Sequence, residues 1–297
     1  MDIAFIGFGE AAWHLCKRLG RQPSLRLRAF DTALADRQQA PVLESRAHQA
    51  NVTLCHTLAE ACTGVRYVIC LTSAASALSV AQSVLPLLQP GQRYIDMNSA
   101  SPAVKQAIDH LPRPQGVGFC DAAVMGTVPE SGHRVPVLLA GDAAVDFATA
   151  LTPFGMQLTV LEGNAGSASA LKMLKSVVMK GLPQLFLEAF CAAQQAGVLD
   201  ALVASLGQSL NGKTVEQLAE TFCYRTVQHA ARRSAEMTDV VATLHSLGTD
   251  TAMSAAARQK LDMLAEHHRI IPGSRPLSWR DTIHLLTHTT GESHHDG

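Results

Sequence analysis

Lys172, Lys175 and Ser176 stand at i, i+3 and i+4 in an otherwise apolar run, so a helix there would present all three on one face. A lysine in such a setting can act as a general acid/base when burial or a neighbouring cation lowers its pKa. In a hydride transfer it would take the alcohol proton as the carbinol carbon loses hydride. The preceding residues, Gly163-Asn164-Ala165-Gly166-Ser167-Ala168, are small and would let a ligand or a second backbone come close. Spacing alone favours a plainer reading, two surface lysines beside a helix–helix contact.

A second constellation opens the chain. Gly7-Phe8-Gly9-Glu10-Ala11-Ala12 follows an apolar run at the N-terminus, and Asp31 lies 24 residues after Gly7 at the end of the next such run. A strand, a glycine turn, a helix start and then an acid after the second strand is the order a dinucleotide site needs. Gly7 would make the tight turn, Gly9 would admit the pyrophosphate, and Ala12 would let helix and strand pack closely. Phe8, Glu10 and Ala11 complete the turn, where Glu10 must point away from phosphate. Asp31 would accept from the ribose hydroxyls and repel a 2′-phosphate, which favours NAD and leaves NADP as the alternative. Thr72 and Ser73 follow one apolar run and Asn98 another; they would touch the nicotinamide half or serve as ordinary turn and cap residues.

These residues need a scaffold of alternating strands and helices. Strands are expected at Ile3–Gly7, Leu25–Phe30, Val52–Cys55, Arg66–Leu71, Arg93–Met97, Val117–Asp121, Val135–Ala140 and Leu158–Leu161. Helices are expected through Trp13 and Leu19, over Leu78–Leu88, and from Ser101-Pro102. That alternation implies a mostly parallel sheet covered on both faces. After Glu162 only helical spacing remains: a long helix from Ser167 with Pro183 as a kink or break, then Val198–Leu206, Val215–Phe222, Val227–Leu247 and Thr251–His267. The expected fold class is therefore α/β, a doubly wound Rossmann sheet over residues 1–162 and an all-helical domain over 163–297. The tail Gly291–Gly297 is expected to be mobile.

Taken together, the motifs resemble the β-hydroxyacid dehydrogenase family, which includes 3-hydroxyisobutyrate and 6-phosphogluconate dehydrogenases. The Gly7/Gly9/Ala12 turn matches its dinucleotide motif. Asp121-Ala122-Ala123-Val124-Met125-Gly126 is similar to its substrate loop, usually D-x-P-V-S-G. Gly163-x-x-Gly166-x-Ala168-x-x-x-Lys172 resembles the G-x-x-G-x-G-x-x-x-K motif that carries the catalytic lysine. The run Ser169–Gly181 resembles a branch whose C-terminal domain is termed 6-phosphogluconate dehydrogenase C-terminal-like. The resemblance implies NAD(P)-linked oxidation of a small hydroxy acid, Lys172 as general acid/base, and a homodimer. It places Val124, Met125, Gly126, Thr127 and Lys175 against the substrate. Ser176 stands where the family has a substrate-orienting Asn, and Met125 where it has a Ser that bonds the substrate carboxylate. Those departures favour a less acidic substrate, so a keto or imine reductase and a catalytically silent NAD-binding protein are the rival readings.

Composition removes other classes. The chain has 297 residues, 47% hydrophobic and 16% charged, with a formal net charge of -1. Near-neutrality argues against a broad nucleic-acid surface. No run is long and apolar enough to span a membrane, and the acidic start is unlike a secretion signal. Seven scattered cysteines (Cys16, Cys55, Cys62, Cys70, Cys120, Cys191 and Cys223) suit buried, reduced thiols in a cytoplasmic protein. Thirteen histidines suggest no metal site. His267-His268 and His294-His295 are adjacent pairs, and His284 and His288 share a face with no third ligand. His229, Arg232 and Arg233 offer substrate contacts, although a solvated helix face is the favoured reading.

Overall fold

The computed structural model describes residues 1–267 and 277–289. The chain divides into two compact units, Met1–Val177 and Val178–Gly297.

The first unit is built on one sheet. Its strands are β1 (Asp2–Ile6), β2 (Arg26–Phe30), β3 (Val52–Leu54), β4 (Tyr67–Cys70), β5 (Arg93–Asp96), β6 (Gly118–Val124), β7 (Pro136–Ala140) and β8 (Gln157–Val160). They lie in the order β3-β2-β1-β4-β5-β6-β7-β8. Every neighbouring pair is parallel except β6 with β7. Connecting helices are α1 (Glu10–Leu19), α2 (Ala40–Ala50), α3 (Leu58–Cys62), α4 (Ala77–Val84), α5 (Pro102–Asp109), α6 (Val128–Ser131) and α7 (Ala144–Leu151). Alternation along β1 separates two cores. Ile3 and Phe5 pack with Leu15 and Leu19 of α1, Leu43 of α2 and Phe147 of α7. Ala4 and Ile6 pack with Ala61 of α3, Ala81 of α4 and Ile108 of α5. Both faces of the strands are apolar because both are covered, as a doubly wound sheet requires.

Strand order reverses between β1 and β4, and ligands of such sheets bind at that point, beyond the carboxyl ends of the strands. Register sets those ends level: Phe30 pairs with Ile6, Ile6 with Cys70, Cys70 with Asp96, and Asp96 with Asp121. The residues that follow these positions therefore share one edge.

The last strand closes just before the turn at Glu162, and a long helix follows, α8 (Ser167–Gln195). The division between units falls within it, so Lys172, Lys175 and Ser176 belong to the first unit. Pro183 neither ends nor interrupts the helix. It gives up one backbone bond to the preceding turn, and the helix continues on both sides.

The second unit is helical throughout its described residues, with α9 (Leu199–Leu210), α10 (Val215–Gln228), α11 (Ala230–Ser246), α12 (Ala252–His267) and α13 (Trp279–Thr289). Glu188 of α8 caps α12, accepting from Met253 N at 2.7 Å, Ser254 N at 2.9 Å and Ser254 Oγ at 2.6 Å. Carboxylate at a helix N-terminus meets free N–H groups and the positive end of the dipole. The Ser234 hydroxyl donates to Asp262, tying α11 to α12.

Several boundaries differ from the sequence expectation. Strand β6 runs on past the expected end at Asp121 to Val124, so Ala122, Ala123 and Val124 are strand residues rather than part of a loop. Val227 lies in the last turn of α10 instead of opening α11, because the chain turns at His229. Helices α2 and α7 were not expected: each buries only a narrow stripe, such as Leu43, Ala47 and Ala50 in α2. Five cysteines are buried, but Cys191 is exposed and Cys223 half-buried. No helix among the described residues is long and apolar enough to cross a membrane. His268, His294, His295 and the Gly291–Gly297 tail lie outside the described residues.

Candidate active site

The glycine turn sits at the switch point. Gly7 has φ +86°, and a Cβ there would stand 2.4 Å from Leu71 O. Only glycine combines that conformation with that approach. A Cβ on Gly9 would meet nothing within 4 Å, so its neighbourhood is open to a ligand. Phe8 is fully buried beneath the turn, and its backbone N–H donates to Asp31 Oδ2 at 2.7 Å. Asp31 Oδ1 accepts from Ala33 N at 2.9 Å. Both carboxylate oxygens are thus held in place, and each keeps a lone pair for a further donor. Glu10 is exposed at the start of α1, 3.9 Å from His14 Nε2. Ala11 packs at the edge of the core.

A cavity of about 600 Å³ opens beside this turn. Gly7, Gly9, Asp31, Thr72 and Ser73 line it, all expected from the sequence. Its remaining wall is Ile6, Phe30, Thr32, Leu58, Leu71 and Val80, with a run of hydroxyls at Ser76, the N-cap residue of α4, and at Ser79 and Ser83 within it. Those serines were missed. Their spacing along one helix face was the available signal. Asn98 does not line the cavity. It is buried, and its Oδ1 accepts from Thr72 N at 2.7 Å, so it shapes the rim from behind.

This site fits a dinucleotide. A turn whose Gly7 excludes any side chain stands beside the N–H groups at the start of α1, and an anchored carboxylate, Asp31, follows β2. Anions bind at such helix starts.

Lys172 is half-buried on α8, and its Nζ donates to Ser99 Oγ at 2.6 Å. Ser99 follows Asn98 in the loop after β5, so the lysine is drawn to the same sheet edge as Thr72. Lys175 is exposed on the next turn. The Ser176 hydroxyl donates to Lys172 O at 3.1 Å. It therefore spends its proton within the helix, where the sequence expectation gave it to a substrate. Of the substrate-loop residues, Val124 is buried at the end of β6, while Gly126 and Thr127 are exposed. Thr127 Oγ1 donates to Glu130 Oε2 at 2.6 Å. Met125 packs against Ala123, Ala140 and Ala168, the last lying one turn before Lys172.

The other candidates have local partners. Arg232 pairs with Glu236, and Arg233 donates to Thr226 Oγ1 at 2.7 Å. His284 and His288 stack with centroids 4.1 Å apart. Among the described residues, no three His, Cys, Asp or Glu side chains gather in a metal-ligand cluster.

Comparison with known proteins identifies the family. Residues 2–156 match the NAD-binding domain of 6-phosphogluconate dehydrogenase, and residues 193–264 match a domain of unknown function, DUF1932. An uncharacterized 28.5 kDa protein of Methanothermus fervidus is 29% identical over 147 residues, which is 50% of this chain and 56% of that protein. The chain thus spans little more than half of that curated relative. A conserved hypothetical protein from Sinorhizobium meliloti is 32% identical, covering 97% of this chain and 96% of its own, with a TM-score of 0.65. An imine reductase from Myxococcus stipitatus in complex with NADP+ superposes with a TM-score of 0.69 at 16% identity, covering 96% of this chain and 100% of its own. Mycobacterium tuberculosis 3-hydroxyisobutyrate dehydrogenase superposes with a TM-score of 0.61 at 18% identity, covering 96% and 98%. The last two share the fold.

Proposed function

The chain belongs to the family built on the NAD-binding domain of 6-phosphogluconate dehydrogenase, and from that premise we propose an NAD(P)-dependent oxidoreductase acting on a small hydroxy-acid-like substrate. The observation that carries the reading is the 2.6 Å hydrogen bond from Lys172 to Ser99. It brings an ammonium to the sheet edge where Thr72, Ser73 and the glycine turn border the dinucleotide cavity.

The nicotinamide, when bound, exchanges hydride with the substrate carbon. The chain's own residues do the rest. Gly7, Phe8, Gly9, Glu10 and Ala11 form the turn that receives the pyrophosphate, and Asp31 takes the ribose hydroxyls. The Asp31 carboxylate favours NAD over NADP by repelling a 2′-phosphate. Asn98 fixes the Thr72 backbone. In the oxidation direction, the Lys172 amine accepts the substrate hydroxyl proton as the carbinol C–H bond breaks, and it returns that proton in reduction. Such proton transfer contributes about 10²–10⁴-fold in rate. Lys175 offers a charge to a substrate carboxylate. Met125, Gly126 and Thr127 form the facing loop beyond Val124, the last residue of β6, and Ser176 offers hydroxyl lone pairs.

Met125 favours a second reading. Its contact with Ala123, Ala140 and Ala168 makes the wall below Lys172 apolar, which suits a ketone or imine bulkier and less acidic than a hydroxy acid. Following NADH and NADPH absorbance with hydroxy acids, keto acids, ketones and cyclic imines separates the two. Turnover confined to acids supports the first reading, and turnover confined to ketones or imines the second. Tight NAD binding with no turnover across the panel would make the protein a silent binder.

The assembly we propose is a homodimer in the cytoplasm. Leu174, Val177, Val178 and Met179 are 59–69% exposed along α8. Four adjacent apolar side chains left in water on one helix suit a second copy of the chain.

A further inference from the structure

Behind the proposed site lies a group of buried charges that plays no direct part in it. Asp96 ends β5 and Asp121 lies beside it in register on β6, both fully buried. Neighbouring carboxylates in a core repel unless a cation joins them. Lys105 of α5 does so, itself fully buried. Its Nζ donates to Asp96 O at 2.7 Å and lies 3.3 Å from both Asp96 Oδ1 and Asp121 Oδ1. Three ammonium hydrogens thus face three acceptors.

Each acid then reaches toward Lys172 by a different route. Asp121 caps α8, accepting from Gly166 N at 3.1 Å, Ser169 N at 2.9 Å and Ser169 Oγ at 2.6 Å. Ser169 stands one turn before Lys172. Asp96 Oδ1 accepts from Asn98 N at 2.8 Å and so folds the loop that carries Ser99. Gly166 belongs to the same arrangement: a Cβ there would stand 3.1 Å from Pro102 O, so α8 starts directly against α5. A triad of apolar residues could fill this core about as stably, because desolvating three charges offsets much of their attraction. What the charges add is direction.

We propose that Lys105 is a positioning residue for Lys172. Through Asp121 it fixes the helix that carries the lysine, and through Asp96 it fixes the loop that carries the partner, Ser99. The inference deepens the reading of Lys172 as the proton-transferring group, but its test needs neither substrate nor cofactor.

Trace acetylation of the full-length protein with acetic anhydride, read by peptide mass, gives the reactivity of Lys172 relative to Lys175. Ser169→Ala removes one bond to Asp121 and places a better helix former in α8. Lys105→Met removes the cation at similar length. Leu151→Ala, in the opposite core, is a control that lowers stability alone. The Lys172/Lys175 ratio is expected to rise about fivefold in Ser169→Ala and at least as much in Lys105→Met, the loss of about one net hydrogen bond. It should stay at the wild-type value in Leu151→Ala. An unchanged ratio in Ser169→Ala or in folded Lys105→Met, or an equal rise in Leu151→Ala, overturns the proposal. If Lys105→Met does not fold, Ser169→Ala decides alone. Failure of the catalytic reading would appear elsewhere, as full turnover in Lys172→Ala with the labelling ratios as expected.

Discussion

Gly7 joins β1 to α1 with no room for a side chain, since a Cβ would press on the Leu71 carbonyl at 2.4 Å and φ is +86°. Backbone and neighbour both refuse alanine. Gly7→Ala is expected to lose about 1–3 kcal/mol in urea unfolding from the strained conformation alone, and to weaken NAD binding as the turn shifts. Unchanged stability would mean that the turn is not formed as described. At this scale the sequence was most informative where chemistry is local. The glycine turn, Asp31, Thr72 and Ser73 follow from residue types at the ends of apolar runs, and they meet at one cavity. Ser99 and Lys105 were not legible, because their roles depend on which strands become neighbours. Lys105 left one trace: it falls on the buried face of α5, three residues before Ile108.

Elements show the same division between local and distant causes. Strands that end on the cofactor edge were readable as short apolar runs, since both sheet faces are covered. Helix α2 was not readable, because its buried stripe holds two alanines and one leucine. Strand β6 was cut short at Asp121, because an acid inside a strand reads as its end unless a buried cation is known to meet it. The entry to β7 carries a pH-dependent element. His133 is buried before that strand, and burial, Arg134 and Arg18 together lower its pKa, while a bond with the Phe154 backbone opposes them. His14, Lys17 and Glu130 line the same depression. Its folded pKa lies below the unfolded value, so the folded state binds fewer protons between the two. Stability is therefore lost as pH falls from the unfolded value, about 6.5, toward the folded one. His133→Gln should remove that loss. The Tm gap between wild type and variant should narrow from pH 7.5 to pH 5.5 in paired thermal melts, and a gap that widens would reverse the sign assigned to His133.

For the molecule as a whole, the α/β unit and the helical unit were both legible from the change in periodicity after Glu162, but the division of contacts inside α8 was not. Nothing in a continuous helix marks where its neighbours change. The same helix carries Lys172 and the exposed apolar residues that the homodimer proposal uses. Leu174→Asp with Val178→Asp is expected to convert a dimer to a monomer in sedimentation at micromolar concentration. A wild-type protein that sediments as a monomer would remove the proposed interface. The central claim is narrower: this protein binds a nicotinamide dinucleotide at the Gly7 turn and uses Lys172 to move a proton. It is tested most directly by pairing two measurements on Lys172→Ala, the affinity for NADH by fluorescence titration and turnover on whichever substrate the panel identifies. The account predicts affinity near the wild-type value with turnover reduced about 10²–10⁴-fold. Full turnover in Lys172→Ala would contradict it.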